Sequence, residues 1–315
     1  VVLRLGLDTK ISVVVPIFNK LATLTRTIDN ILCSLNASAF KNCYELVLVD
    51  DGSTDGCGDL VDCYVNSRVV VFHKENGGPS SARNYGVERS IGEFVLFLDA
   101  DDLITPEYFS FLYDAFQKYP DRCAFASDYK PVDFDSFWGG CETASYSGDA
   151  RVERNFYRLW YKRAFLFTSS VCIRRSFLIE NSIEFPEGRH SGEDQYVWFK
   201  VNDLHPFVVT RCKAVFYLRN VKGALTGRPV CEVGPHIDYL NSQERKNCDS
   251  TIYAAKLYKK LLCNVIAANV RARSFREAFL IVKKYGLGVL TLLGVAKIAL
   301  SLISPKLYRY ISGGL

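Results

Sequence analysis

The chain has 315 residues, enough for one large domain or for one domain with a substantial appendage. Hydrophobic residues make up 49% of it, which supports an ordinary folded core and excludes a disordered or low-complexity protein. The charge balance, 39 basic against 34 acidic residues for a net +5, is too mild to mark a nucleic-acid binder. Eleven cysteines include no CxxC pair, and the four histidines are scattered, so neither a disulfide framework nor a zinc site is expected. Several of the cysteines interrupt apolar runs, as buried thiols do. That usage points to a reducing, cytoplasmic compartment, and the opening VVLRLG is too short to read as a signal peptide.

The first 130 residues alternate short apolar runs with amphipathic stretches. Strands are predicted at 11–18, 45–49, 68–72 and 94–98, and helices at 22–35, 55–66 and 79–90. Such alternation predicts an α/β protein with a mostly parallel central sheet flanked by helices and right-handed crossovers. The rhythm then changes. A helix is expected over 106–118, a strand over 123–127, and a polar, aromatic-rich loop over 130–150 of the kind that borders an active site. A helix over 151–164 and strands at 169–173, 207–210 and 214–218 follow, with a helix opening at Glu193.

From about residue 235 the chain reads as helical, with amphipathic segments at 248–270 and 274–285. The spacing divides the chain into a domain over 1–225 and a helical C-terminal extension over 226–315. Residues 286–303 are nearly all apolar, and as a single helix would be roughly 27 Å long, just short of a bilayer core. Gly294, Lys297, Ser301 and Ser304 fall on one face, and Lys283, Lys284, Lys306 and Arg309 flank the segment. One polar stripe with basic ends suits a helix lying in a membrane interface, so that 274–310 is expected to make peripheral membrane contact. The alternative is packing on the protein's own core or in a homodimer interface.

The chemistry is concentrated where strands stop. The run FVLFLDADD, 94–102, drives an apolar strand into Asp99, Asp101 and Asp102. Open α/β sheets bind their ligands at the carboxyl ends of their strands. Clustered carboxylates repel one another and need a compensating cation, and hard oxygen ligands suit Mg²⁺ or Mn²⁺. The plainer reading is an acidic loop ahead of the helix begun near Thr105. Three further strand ends carry Pro16-Ile17-Phe18-Asn19, Asp50-Asp51-Gly52-Ser53 and Asn76-Gly77-Gly78, and a parallel sheet brings all four loops to one edge.

With VVVPIFNK at 13–20, LVLVDDGSTDG at 46–56, ENGGPSSARNYGV at 75–87 and GEFVLFLDADD at 92–102, the sequence resembles the inverting family 2 glycosyltransferases of the Rossmann-like GT-A fold. The clear resemblance runs over about 10–220. It implies that Pro16, Ile17, Phe18 and Asn19 shape a nucleotide-sugar pocket, with Phe18 against the base or ribose. It implies that Asp50 or Asp51 accepts hydrogen bonds from the nucleoside, and that Gly77 and Gly78 let backbone approach it. Arg83 and Asn84 would follow in the helix, the arginine pairing with phosphate or with the aspartates; a structural ion pair is the alternative. Asp99, Ala100 and Asp101 match the family's DxD metal motif, with Asp102 as the other candidate for direct ligand.

The segment SGEDQYVWF matches the family's acidic motif, which implies Asp194 as the base that deprotonates the acceptor hydroxyl and Glu193 as its orienting neighbour. Alternatively both acids simply cap their helix. His190 is a weaker candidate for a phosphate or acceptor contact. Trp138, Trp160 and Trp198 are expected in cores rather than stacked on sugar. The implied reaction is transfer of a sugar from a nucleotide diphosphosugar, a UDP-sugar by preference, to a hydroxyl of a polysaccharide or lipid-linked saccharide, with no nucleic acid involved. Its expected place is the inner face of the cytoplasmic membrane. A nucleotidyltransferase would open with a glycine-rich phosphate loop that VVVPIFNKLATL lacks, and a non-catalytic sugar-binding scaffold would not need acids at 99, 101 and 194.

Overall fold

A computed structural model describes residues 10–133, 144–189, 191–219, 231–242 and 251–290, together with 294–295 and 298–299. Four parallel strands come first: β1 (Ile11–Ile17), β2 (Tyr44–Asp50), β3 (Val69–His73) and β4 (Phe94–Phe97). They are joined by the helices α1 (Leu21–Asn36), α2 (Cys57–Asp62) and α3 (Gly78–Arg89). Their spatial order is β3-β2-β1-β4, so the chain leaves β1 in one direction for β2 and later returns to β1's other side as β4. That reversal opens a crevice beyond the carboxyl ends of β1 and β4, the place where such sheets bind ligands.

Every residue of β2 and of β4 is buried, because helices cover the sheet here on both faces. Pro16 fits the crevice for a backbone reason. The carbonyls of Lys10 and Val14 accept from Phe94 and Leu98, so even-numbered positions of β1 face β4. The last β1–β4 pair is Val14 with Phe97, and the nitrogen of Pro16 therefore points to where β4 has already left, costing no ladder bond.

α3 lies close on β1. A Cβ built at Gly86 would sit 2.4 Å from a methyl of Val14, with a second methyl at 3.2 Å. Gly86→Ala should therefore overpack this contact and lower stability by about 1–3 kcal/mol, read as a lower urea midpoint at unchanged slope. A variant as stable as the parent would show that α3 can lift off β1 freely.

The remaining strands make the sheet mixed. β5 (Leu103–Ile104) is followed by α4 (Pro106–Lys118), β6 (Ala124–Asp133), β7 (Arg151–Val152), α5 (Phe156–Lys162), a 3-10 turn at Thr168–Ser170, β8 (Val171–Arg174) and α6 (Arg175–Glu180). α7 (Glu193–Leu204) and β9 (Val208–Arg219) complete the run. The order continues β4-β8-β6-β9-β5, with β7 also on β9. β8 is antiparallel to both β4 and β6, whereas β6 and β9 are parallel.

Three expectations change. Residues 151 and 152 are not helical, because they pair as β7 with Val209 and Val208. The two short strands at 207–210 and 214–218 are one strand, whose pairing with β6 slips twice near Asp128, and the exposed Arg211 and Lys213 mark that irregularity. β6 also runs on to Asp133, into the expected loop; residues 134–143, with Trp138 and Cys141, lie outside the described residues.

The chain divides into two compact units. The first comprises residues 1–154, 164–188 and 197–224, and the second 155–163, 189–196 and 225–315. The second unit holds α5, the first turn of α7, α8 (Pro235–Asn241), α9 (Thr251–Arg271) and α10 (Phe275–Tyr285). α9 buries Ala254, Leu257, Leu262, Ile266 and Ala267, and packs against α5, α8 and α10. α10 stops at Gly286, whose φ of +83° an L side chain rarely adopts, and Leu287–Val289 form a 3-10 turn. The helix expected over 286–303 therefore does not start at 286; residues 291–293, 296–297, 300 and 301–315 lie outside the described residues. Among the described residues no helix is long and apolar enough to cross a membrane.

Candidate active site

Within the first unit the loops after β1, β2, β3 and β4 meet at one edge and are tied to each other. Asn19, held at φ +52°, accepts at Oδ1 from the Thr54 N–H (2.8 Å), while its own N–H donates to Ser53 Oγ (3.1 Å). Asp55 accepts from the Leu21 N–H (3.0 Å) and the Cys57 N–H (3.1 Å), fixing the start of α1. Lys20 reaches across the crevice to pair with Asp101. Phe18, at the end of β1, leaves 46% of its surface exposed among these polar loops.

The two aspartates after β2 do different work. Asp51 is consumed by the protein: Oδ1 accepts from Lys74 Nζ (2.6 Å) and the Gly77 N–H (3.0 Å), and Oδ2 from the Gly78 N–H (2.7 Å). It thus satisfies backbone donors at the start of α3, where the helix dipole favours an anion. The amides of Gly77 and Gly78, whose backbone was expected to approach the nucleotide, donate to Asp51. Asp50 accepts from the Ser53 N–H (3.1 Å) and meets His73 Nδ1 (3.1 Å), whose Nε2 meets Asp62 (3.0 Å). A carboxylate has about four acceptor positions, so Asp50 retains capacity that Asp51 has largely used.

The hydrogen bonds to Asp50, and next to Asp62, raise His73 above its ordinary range. A raised histidine stabilises the fold fully below the unfolded value of about 6.5, and that stabilisation is lost as pH rises through the folded value. The melting-temperature advantage of the parent over His73→Phe should therefore be largest in mild acid and shrink towards alkaline pH. A difference independent of pH would dismiss the bridge.

The loop after β4 is built from several elements. Asp99 accepts from Arg83 Nη2 at 2.7 Å, with the guanidinium packed over the Phe185 ring, 5.4 Å from its centroid. The Asp99 N–H donates to Ser169 Oγ (3.1 Å), and the Ala100 carbonyl accepts from Thr23 Oγ1 (3.1 Å). Asp102 is fully buried, with one oxygen accepting from Ser169 Oγ and the other from the Leu218 N–H (3.2 Å). Burial, then the charges of Asp99 and Asp101, hold its carboxyl far above the usual range. It props the loop from beneath through both of its oxygens.

Asn84, expected with the nucleotide, commits both ends of its amide to the backbone of Phe185, at 2.8 Å each. Arg83 pairs with Asp99, one of the partners expected of it. Sequence reasoning had no signal for Lys20, His73, Ser169 or Phe185, whose roles arise from pairing across the fold. Trp198 lies in the core against Phe97 and Phe185, and Trp160 beside Phe156, as expected.

Asp99 and Asp101 remain as the pair able to hold a cation. Each has one oxygen engaged by a basic side chain, and their side chains stay 26% and 15% exposed. Burial raises the Asp101 carboxyl, Lys20 pulls it back and Asp99 pushes it up again. That repulsion is what a divalent ion relieves. Two carboxylates, completed by water and phosphate oxygens, are a donor set that fits Mg²⁺ or Mn²⁺. No larger cluster of metal-ligating side chains occurs among the described residues.

In the second unit Glu193 and Asp194 occupy the first turn of α7, and Asp194 Oδ1 accepts from the Gln195 N–H at 2.7 Å. The turn ahead of them is packed against His236. Gly192 has φ +74° and is buried; a Cβ there would fall 1.8 Å from the imidazole. His236 is 5% exposed, and burial pushes it down to about 4, so it is a neutral wall behind the acidic turn. His190 lies outside the described residues.

Residues 12–180, more than half of the chain, match the family described as Glycosyl transferase family 2. An uncharacterised glycosyltransferase of Rickettsia felis is 40% identical over 97 residues, covering 30% of this chain and 15% of that protein. GlyA of Streptococcus pneumoniae is 28% identical over 226 residues, covering 70% and 32%. TarS of Staphylococcus aureus, a poly(ribitol-phosphate) beta-N-acetylglucosaminyltransferase, is 30% identical over 223 residues, covering 68% and 36%. The chain thus spans well under two thirds of each of these relatives.

Among solved structures, S. aureus TarS 1–349 in complex with UDP-GlcNAc matches with a TM-score of 0.66 at 20% identity, over 97% of this chain and 92% of that one. The fold is that of a GT-A glycosyltransferase. The chain belongs to glycosyl transferase family 2.

Proposed function

We propose that this protein is an inverting glycosyltransferase that moves a sugar from a nucleotide diphosphosugar, a UDP-sugar by preference, to a hydroxyl of a polysaccharide or lipid-linked saccharide. The observation that carries the reading is the convergence of four strand-end loops at the carboxyl edge of the sheet, which carry the exposed Phe18 ring and the partly open Asp99 and Asp101 carboxylates. The ring suits the base or ribose, Asp50 suits a base N–H, and the carboxylates suit the diphosphate end. Pro16, Ile17 and Asn19 shape the pocket, and Asp51, Asn84 and Asp102 keep its loops in register. TarS, of similar fold, was solved with UDP-GlcNAc, which supports a uridine donor here.

A divalent cation on Asp99 and Asp101, Mn²⁺ or Mg²⁺, would neutralise the charge that grows on the leaving diphosphate. Asp194 takes the proton of the acceptor hydroxyl, and Glu193 orients it. The chain is read as a catalytic domain over 1–225 followed by a helical extension over 226–315. α10 exposes Phe275, Phe279 and Leu280 and carries Lys283 and Lys284 in its last turn, which suits peripheral contact with an anionic cytoplasmic membrane surface. A homodimer contact is the other use of that face.

The test is a donor screen by thermal shift in Mn²⁺. Binding to the native state stabilises by mass action, about 2.7 kcal/mol at a hundredfold excess over Kd, so the right nucleotide sugar raises the melting temperature and chelation removes the rise. No shift with any nucleotide sugar, metal present, would sink the reading.

A further inference from the structure

β9 carries two short strands on the edge away from β6, β7 at Val208–Val209 and β5 at Val215–Phe216, and among the described residues no strand pairs with that edge over 210–214. In that interval the structure holds a cavity of about 360 Å³, lined among others by Lys130, Ser145, Ser147, Arg211, Lys213 and Phe216. Its position follows from β9. Leu218, which donates to Asp102 under the metal-motif loop, is two residues beyond Phe216, or about 7 Å along a strand. The Phe216 end of the lining therefore stands close, along β9, to a residue that holds the loop after β4.

Its charge is one-sided. Lys130, Arg211 and Lys213 contribute three cations against one lining carboxylate, Asp149. Asp149 is already committed: it accepts from Thr210 Oγ1 and from the Arg211 N–H (3.1 Å), and lies 3.9 Å from the Arg151 guanidinium. Arg211 and Lys213 are exposed, and neither makes an ion pair among the described residues. Asp128 is the strand partner of Lys213 and turns its Oδ1 to the Tyr129 N–H (3.0 Å), and Glu107 is felt at the Cys212 wall. The Cys212 thiol, raised to about 11 by burial first, stays neutral. Two serine hydroxyls complete a lining that can donate to oxyanion oxygens from several directions.

We infer that this cavity is an anion-binding subsite, and that it holds a phosphate or carboxylate group carried by the saccharide acceptor. The cations, the hydroxyls and the apolar floor of Phe216 match an oxyanion on a polyol or sugar body. The assignment to the acceptor rests on the glycosyl-transfer reading; the anion site itself does not.

The test uses the full chain with UDP and Mn²⁺ at saturation, so that the diphosphate site is filled. Inorganic phosphate and, separately, glucuronate are titrated and the melting temperature followed. A saturable rise with one of them is expected, and which one names the group as phosphate or carboxylate. Arg211→Gln/Lys213→Gln should weaken that binding at least about tenfold, as the loss of two charge-assisted contacts implies, while UDP binding persists. A double variant that binds the anion like the parent, or a parent that responds to neither anion, overturns the site. In transfer assays the same variant should raise the KM for an anionic saccharide about tenfold; an unchanged KM alongside lost anion binding overturns the acceptor assignment alone.

Discussion

Replacing Asp194 by Asn should lower kcat by about 10²–10⁴-fold, the usual worth of a positioned general base. The substitution separates the two readings of the acidic turn. Asn keeps an oxygen able to accept from the Gln195 N–H, so a purely capping role survives it. The charge–dipole contribution at the start of α7 that it gives up is about 0.3–1 kcal/mol. A base, by contrast, cannot be replaced by an amide, which has no proton affinity near neutral pH. The expected result is therefore a collapse of turnover with donor affinity and melting temperature nearly unchanged. Turnover at the parental rate would return Glu193 and Asp194 to helix capping. The His236 wall behind Gly192 is part of the same expectation, because a base must be held still to act.

Much of the fold was legible because period and punctuation agree in the first hundred residues. The runs at 11–17, 44–50 and 94–97 are too short for helices and too uniformly apolar for a one-sided sheet, and each ends in polar residues. Buried parallel strands meet both conditions. Legibility fell where tertiary pairing overrides local pattern. Arg151–Val152 sits in helical spacing with Phe156 and Leu159, yet the backbone of Val208–Val209 captures it. The Arg211 and Lys213 interruption looked like a break between strands, though it marks a slip within one strand. Gly286, at φ +83°, ends α10, and a 3-10 turn stands at Leu287–Val289 where a helix was expected to begin.

The site was legible as a set of loops but not as a division of labour. Asp50 and Asp51 are neighbours of identical chemistry. Only the return of the 74–78 segment shows that Asp51 belongs to Gly77 and Gly78. The same holds for Asp101 and Asp102. One faces the crevice and pairs with Lys20, while the other is sealed beneath by Ser169 and Leu218, partners 67 and 116 residues away in sequence. Asn84 looked like a ligand group because it follows Arg83 in the motif, but its partner is the backbone 101 residues later. Motif spacing cannot encode such distances, so acids adjacent in the motif are sorted into open and sealed positions only by the packed structure.

That sorting fixes the second large effect. Asp101→Asn should abolish the Mn²⁺-dependent part of donor binding. Losing even a supporting partner of a metal ligand typically costs 10–100-fold, so about 100-fold weaker donor binding in Mn²⁺ is the least expected of losing a ligand itself. The competing account makes Asp101 only the partner of Lys20, tying the β1 loop to the β4 loop across the crevice. The two accounts diverge in the protein without ligand. An ion-pair role predicts a lower melting temperature in the free variant and an intact shift on adding Mn²⁺ and donor. A ligand role predicts the reverse, because relief of repulsion from Asp99 offsets the lost pair with Lys20 while the cation loses a carboxylate. Asp102→Asn supplies the contrast: a fully buried acid holding Ser169 and Leu218 should lower the stability of the free protein, and it should reach metal binding only through the loop it supports.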